Sequence, residues 1–150
     1  MIQKFSFDEA LISGEFKKLK QLILSPENLV YINYQNCDIL SFDKLNQELL
    51  KSISQKAIVY TIWTGIDPTQ MRMKYIGHAN ERISRQRIRN HLCNKNKNTG
   101  AKLEHIKKSL KDDLKIAVSI VEVLPEYMRK AFETWFIQKE KETLEWNINT

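Results

Sequence analysis

Cysteine is scarce in this chain: Cys37 and Cys93 are its only two in 150 residues. They match neither a disulfide framework nor the paired spacing of a zinc site, so a Cys/His metal cage is excluded and a reducing, cytoplasmic setting is expected. Four glycines and three prolines leave no room for a low-complexity linker, and no internal repeat interrupts the chain. No apolar run approaches the ~18 residues of a membrane span. The opening MIQKFSFDEAL lacks the unbroken apolar centre of a signal peptide. The expectation is therefore a soluble protein with no membrane partner, and a hydrophobic content of 42% supports one ordinary core.

Acidic residues are missing from one third of the chain. Residues 72–115 hold 13 Lys/Arg against 4 Asp/Glu, a net of +9, while the remainder carries 11 basic and 14 acidic residues, a net of −3. A localised basic surface is the electrostatic footprint of a polyanion, most often nucleic acid. An isolated run such as Lys107, Lys108 and Lys111 also fits a merely solvated face.

The chemistry concentrates in residues 57–91, AIVYTIWTGIDPTQMRMKYIGHANERISRQRIRNH. Residues 57–63 are β-branched and aromatic, 64–70 carry Gly65, Asp67 and Pro68 as turn formers, and 71–77 form a second extended run. Together they predict a β-hairpin. Asn80 can then cap a helix holding Arg82, Arg85, Arg87 and Arg89, followed by His91. At about 100° per residue, Arg87 and His91 fall on the side of Ile83 and Ile88, toward the sheet, whereas Arg82, Arg85 and Arg89 point away as a phosphate-contacting face.

Around this stretch, Ser6 to Glu9 has the form of a capping box for a first helix reaching about Leu24, stopped by Pro26. Residues 29–34 read as a short strand, and Ser41 opens a helix with Leu45, Leu49, Leu50 and Ile53 on one stripe. No chemical motif falls in this N-terminal third. Residues 94–100 read as a loop, and Leu103, Ile106 and Leu110 place one side of another helix on the core, with Lys102 and Lys107 among the basic residues around it. Residues 114–123 are apolar on both alternating sets, the mark of a central strand. A last helix spans 127–142. Within it, AFETWFIQ holds one ionisable residue, Glu133, between Phe136 and Ile137 on the wheel. There, at the core edge, a lone carboxylate is costly unless it is paired or bound to a metal.

With Tyr60, Tyr75-Ile76-Gly77, Arg87, His91, Glu133 and Asn147 in this order, the chain resembles the GIY-YIG nuclease superfamily over some 94 of its 150 residues. The first motif stands as Ile58-Val59-Tyr60 and the second as Tyr75-Ile76-Gly77. Arg87 and His91 match the arginine and histidine of the family's first helix, Glu133 in FETWFI its metal-binding glutamate, and Asn147 in EWNIN its late asparagine. The chain departs in having Ile58 for the leading glycine, a longer loop between the tyrosines, and no second histidine near Asn98.

The resemblance implies an α+β fold: a β-β-α-α-β-α core at residues 56–150, with a three-stranded antiparallel sheet flanked by helices, and a mainly helical extension, residues 1–55, packed on it. It also implies hydrolysis of a DNA phosphodiester. A single carboxylate argues for one Mg²⁺ held by Glu133, with Mn²⁺ able to substitute, and Arg87 would balance charge growing on the phosphorus. A tyrosinate would take the proton of the attacking water, at a cost of roughly 4 kcal/mol at pH 7 for an unperturbed pKa of about 10. Tyr60 is favoured for that role and Tyr75 for positioning, though the sequence leaves the choice open. His91 would hydrogen-bond in the same cleft. Arg82, Arg85, Arg89, Lys102 and Lys107 are the expected contacts to double-stranded DNA. With no zinc finger or long DNA-binding domain appended, a restriction-type enzyme acting as a homodimer ranks first. A silent nucleic-acid-binding module and a structure-selective repair or RNA-processing nuclease of the same fold are the alternatives. Glu15 and Lys17 superficially offer half of another restriction motif, but the hairpin that motif needs is absent.

Overall fold

The run IVYTIWTG is rich in β-branched and aromatic side chains, which fit a pleated surface better than a helix. In the computed structural model, which describes residues 1–35, 38–93 and 102–147, it forms a strand, Ile58–Gly65, that pairs on both sides. In chain order the strands are β1 (Val30–Tyr31), β2 (Ile58–Gly65), β3 (Arg72–Ala79) and β4 (Lys115–Glu122). They form one antiparallel sheet in the order β1-β4-β2-β3. The protein is thus α+β, with a sheet of four strands where the motif pattern suggested three. The stretch before residue 56 is not only helical, because it donates β1. The doubly apolar β4 is interior because β1 covers its outer side.

Six α-helices accompany the sheet among the described residues: α1 (Glu9–Leu24), α2 (Phe42–Leu45), α3 (Gln47–Ile53), α4 (Ser84–Leu92), α5 (Leu103–Lys111) and α6 (Arg129–Lys139). One face of the sheet packs Ile58, Tyr60, Ile62 and Tyr75 against Ile88 and Leu92 of α4, Ile106 of α5, and Phe42, Leu50 and Ile53 of the N-terminal segment. The other face packs Val59 and Ile76 against Phe16 and Ile23 of α1 and Phe132 and Phe136 of α6. Phe132 and Phe136 are fully buried, and truncating either to Ala would cost about 3–5 kcal/mol. No helix among the described residues is long and apolar enough to cross a membrane.

Several boundaries differ from the sequence expectation, and at some of them a side-chain contact gives the reason. The cap of α1 is Asp8 rather than Ser6: its Oδ1 accepts from the amides of Ala10 and Leu11 at 3.0 and 3.4 Å, and a carboxylate suits a helix N-terminus. The strand expected over 29–34 stops at Tyr31 and the helix expected from Ser41 breaks at Asn46, and Asn46 accounts for both. Its Oδ1 accepts from the amide of Asn33 at 2.8 Å, and its Nδ2 donates to the carbonyls of Asn33 and Phe42. A buried amide side chain thus diverts backbone groups from strand and helix alike. β3 runs past Gly77 to Ala79, so Asn80 caps only the turn ahead of α4, through the amides of Arg82 and Ile83. The last helix is Arg129–Lys139, preceded by a 3-10 turn over Glu126–Met128. The loop expected at 94–100, with Asn98 in it, and Cys37 lie outside the described residues.

Candidate active site

Tyr60 and Gly77 stand opposite one another in the β2–β3 register. The tyrosine ring lies across the glycine: a Cβ built on Gly77 would fall 2.5 Å from the Tyr60 hydroxyl. An aromatic side chain covering a glycine of an outer strand fills the gap that the missing side chain leaves. The result is a Tyr60 hydroxyl sealed from solvent, with no hydrogen-bond partner among the described residues.

Register shifts between Ile62 and Trp63, where Ile62 pairs Tyr75 and Trp63 pairs Met73, leaving Lys74 as the extra residue of a bulge. Bulges of this kind re-aim neighbouring side chains. Tyr75 comes to lie beside Tyr60 with ring centroids 6.3 Å apart, and His91 of α4 sits 5.6 Å from the Tyr60 ring and 5.0 Å from that of Tyr75. The two hydroxyls lie close enough to influence each other's ionisation without forming a well-directed hydrogen bond. Burial, then the neighbouring Tyr75, raises the Tyr60 hydroxyl well above its ordinary value, whereas Tyr75 is pushed up to about 12, chiefly by burial.

His91 is buried and accepts at Nδ1 from the amide of Lys102 at 3.1 Å. Its neutral ring therefore carries the proton on Nε2, which is buried with no partner among the described residues. Burial, with the charges of Arg87 and Lys102, depresses its pKa to about 3, so it is neutral at physiological pH. Lys102 belongs to the same group of side chains: its Nζ lies 5.4 Å from the centroid of the Tyr75 ring.

Glu133 reaches the site from the opposite face, on α6. Its carboxyl is raised to about 7, mainly by burial, with Arg87 and Lys130 pulling the other way. Arg87 links the set. Its charge acts on Tyr60, Tyr75, His78, His91 and Glu133 alike.

Asn147 acts on the backbone. Its Oδ1 accepts from the Ile76 amide at 2.9 Å and its Nδ2 donates to the Ile76 carbonyl at 3.0 Å. It thus stands in for a neighbouring strand on the outer side of β3, between Tyr75 and Gly77. Of the expected DNA contacts, Arg82 and Arg85 are exposed, Arg89 pairs with Asp43 of α2 at 2.9 Å, and Lys107 makes an exposed pair with Glu104 at 3.6 Å.

His78 and Arg129 were not among the residues singled out from sequence. His78 approaches Glu133 at 3.7 Å and Arg129 at 2.8 Å. The alternation of a strand puts His78 with Ile76, away from the tyrosines. The missing signal was that the helix bearing Glu133 would cover that other face.

No three or more His, Cys, Asp or Glu side chains among the described residues cluster in a way that could hold a metal. A lone, half-buried carboxylate of raised pKa nevertheless fits a hard divalent cation that keeps most of its water, because a nearby positive charge would favour the ionised form. No protein-family model matches this chain, nor does any curated protein or solved structure.

Proposed function

We propose that this protein is a divalent-metal-dependent DNA endonuclease of GIY-YIG type, hydrolysing a phosphodiester at the outer edge of β3. The observation that carries the reading is the packing of Tyr60, Tyr75 and His91 ring to ring from three separate elements, with Arg87 on the same helix as His91 and Glu133 on the helix that covers the other face of the sheet. Among the described residues Arg87 makes no ion pair, which leaves its donors for an anionic substrate. A planar donor fork suits phosphate and the charge that grows on it during substitution.

In the proposed reaction a water oxygen bonds to phosphorus as the bond to the leaving sugar oxygen breaks. The water's proton goes to a tyrosinate. Of the two tyrosines Tyr75 is the better placed: Tyr60 is fully sealed against Gly77, whereas Tyr75 keeps 8% of its surface exposed. The proposed base is therefore Tyr75 rather than Tyr60, which the sequence favoured while leaving the choice open. A pKa of about 12 makes tyrosinate at pH 7 cost roughly 7 kcal/mol. Mg²⁺ held by Glu133 would supply positive charge that lowers this cost and neutralises the phosphate. Tyr60 and His91 shape the wall behind Tyr75, and Asn147 holds its strand. Lys102, Arg82 and Arg85 would take the flanking phosphates, and two copies would cut both strands.

Plasmid cleavage tests the reading. Wild-type protein should nick or cut DNA in Mg²⁺ or Mn²⁺ and not in EDTA, and Glu133→Gln should abolish cutting while DNA binding persists. Binding without any cleavage by the wild type would leave the silent nucleic-acid-binding module in its place. A carboxyl near 7 is also well matched to act as a general base itself; cleavage that persists in EDTA yet is lost in Glu133→Gln would favour that second reading.

A further inference from the structure

We propose that His78 is the positioning residue for Glu133, held in a single ring tautomer by Arg129. The inference rests on the reading of Glu133 as the carboxylate that serves the reaction. Arg129 opens α6, and its Nη1 lies 2.8 Å from Nδ1 of His78. A guanidinium can only donate, so Nδ1 must be the bare, accepting nitrogen. A protonated imidazolium would set a ring N–H against a guanidinium N–H at that distance, which the geometry rules out. The ring is therefore neutral with its proton on Nε2, and Nε2 is the atom that faces Glu133 Oε2 at 3.7 Å.

Arg129 is itself fixed. Its Nη2 donates to Glu126 Oε2 at 2.9 Å, and its side chain is only 14% exposed. Glu126, Arg129 and His78 are thus a directed chain of acceptor, donor and acceptor, and the remaining N–H of His78, on Nε2, faces Glu133. The series runs from the turn before α6, across to β3 and back to the middle of α6. Its effect is to aim one oxygen of Glu133 at His78 and leave the other for a ligand. Partners that orient a metal-binding side chain in this way are worth about 10–100-fold in metal affinity or activity. At 3.7 Å the contact is longer than a hydrogen bond, and contacts of this kind tighten once substrate is bound.

The tautomer is read directly by long-range ¹H–¹⁵N spectra of the labelled full chain at pH 7.5. His78 should show a bare Nδ1 and a protonated Nε2, and Arg129→Met should convert this to a mixture of tautomers. In plasmid cleavage, His78→Leu should lower kcat about 10–100-fold with KM for DNA unchanged. His78→Gln, which returns an N–H donor near the Nε2 position, should recover most of that loss. An Nδ1-protonated or charged His78 in the wild type, or a His78→Leu enzyme that cuts at the wild-type rate, would overturn the proposal. If the wild type cuts no DNA at all, the nuclease reading fails instead, and the spectra still decide whether Arg129 locks His78.

Discussion

The two outer strands of the sheet meet the same problem in opposite ways. An unpaired strand edge exposes backbone donors and acceptors and must be shortened, covered or charged. On one side β1 is cut to two residues, because Asn46 takes over the backbone of Asn33. On the other side β3 keeps eight residues, and Asn147 satisfies Ile76 in place of a further strand. The difference teaches where a site can form. Inside a sheet, the backbone separates side chains on the two faces. At the outer edge of β3, with glycine at residue 77, groups from both faces come within electrostatic reach: the charge of Glu133, from the α6 side, acts on the hydroxyls of Tyr60 and Tyr75 on the other.

The largest effect expected at the β3 edge is on acid stability, where its two faces oppose each other. His91 has a folded pKa near 3, below the ordinary value, so the unfolded chain binds the extra proton first. Its contribution, about 5 kcal/mol at most, is present above pH 6.5 and is lost as pH falls toward 3. Glu133 has a folded pKa near 7, above the ordinary value, so the native state binds its proton first. It costs about 3 kcal/mol above pH 7, and that cost fades as pH falls to 4.5. Between pH 6.5 and 4.5 the two terms nearly cancel, and the steep loss comes only below 4.5. Denaturant titrations across pH should show Glu133→Gln more stable than wild type at pH 8. The variant should also begin losing stability at pH 6.5, at about 1.4 kcal/mol per pH unit. Parallel curves for the two proteins would mean that the burial of Glu133 carries no such cost.

Much of this edge was legible in the sequence. The β-branched runs around Tyr60 and Tyr75 marked the hairpin, and the stripe Leu103, Ile106 and Leu110 marked α5, because both signals are local and periodic. The inward turn of His91 followed from helical spacing and is met in the fold, where it is buried against both tyrosines. What stayed hidden depends on single bonds between residues far apart in sequence. Asn46 ends β1 from 13 residues beyond Asn33, and Asn147 holds Ile76 from 71 residues beyond it. Neither leaves a periodic trace. Lys102 read as one of the expected DNA contacts around α5, yet its amide fixes the His91 tautomer.

Filling Gly77 should break the β3 edge. Gly77→Ala sets a methyl carbon 2.5 Å from the Tyr60 hydroxyl, and forced overpacking of this kind costs about 1–3 kcal/mol. Cleavage should fall with it as the tyrosine shifts. Gly14→Ala on α1 is the control: its Cβ meets nothing within 4 Å, and alanine in a helix interior gains up to about 1 kcal/mol. Chemical denaturation of both variants checks the contrast, and equal effects would show that Tyr60 moves aside freely. The hydroxyls divide the same way. Tyr60→Phe removes a buried, unpartnered group and should leave stability unchanged or raised by about 1 kcal/mol. Tyr75→Phe should slow cleavage by roughly 10² or more with little change in DNA affinity. A Tyr60→Phe variant that proves the slower of the two would return the proposed base role to Tyr60.

The smallest expected effect tests which edge the DNA follows. Arg82 and Arg85 are exposed on the segment that leaves β3, whereas Lys111 and Lys115 are exposed at the end of α5 and the start of β4. Lys115 pairs with Gly65, at the other end of β2 from the Ile58–Ala79 pair next to the arginines. Each phosphate contact contributes about 0.9 to the slope of log K against log salt. Replacing Arg82 and Arg85 together with Ala should therefore flatten the slope by nearly 2, and replacing Lys111 and Lys115 should leave it unchanged. Adding Arg89→Ala to the arginine pair should matter less, because Asp43 already holds that guanidinium at 2.9 Å. It should instead cost up to about 1 kcal/mol of stability, as expected of an exposed ion pair. Fluorescence anisotropy at several salt concentrations measures the slopes, and chemical denaturation measures the Arg89→Ala cost. A slope that responds to the lysines and not to the arginines would place the DNA along the opposite side of the sheet, away from Tyr75 and Glu133, and the nuclease reading of this edge would fall with it.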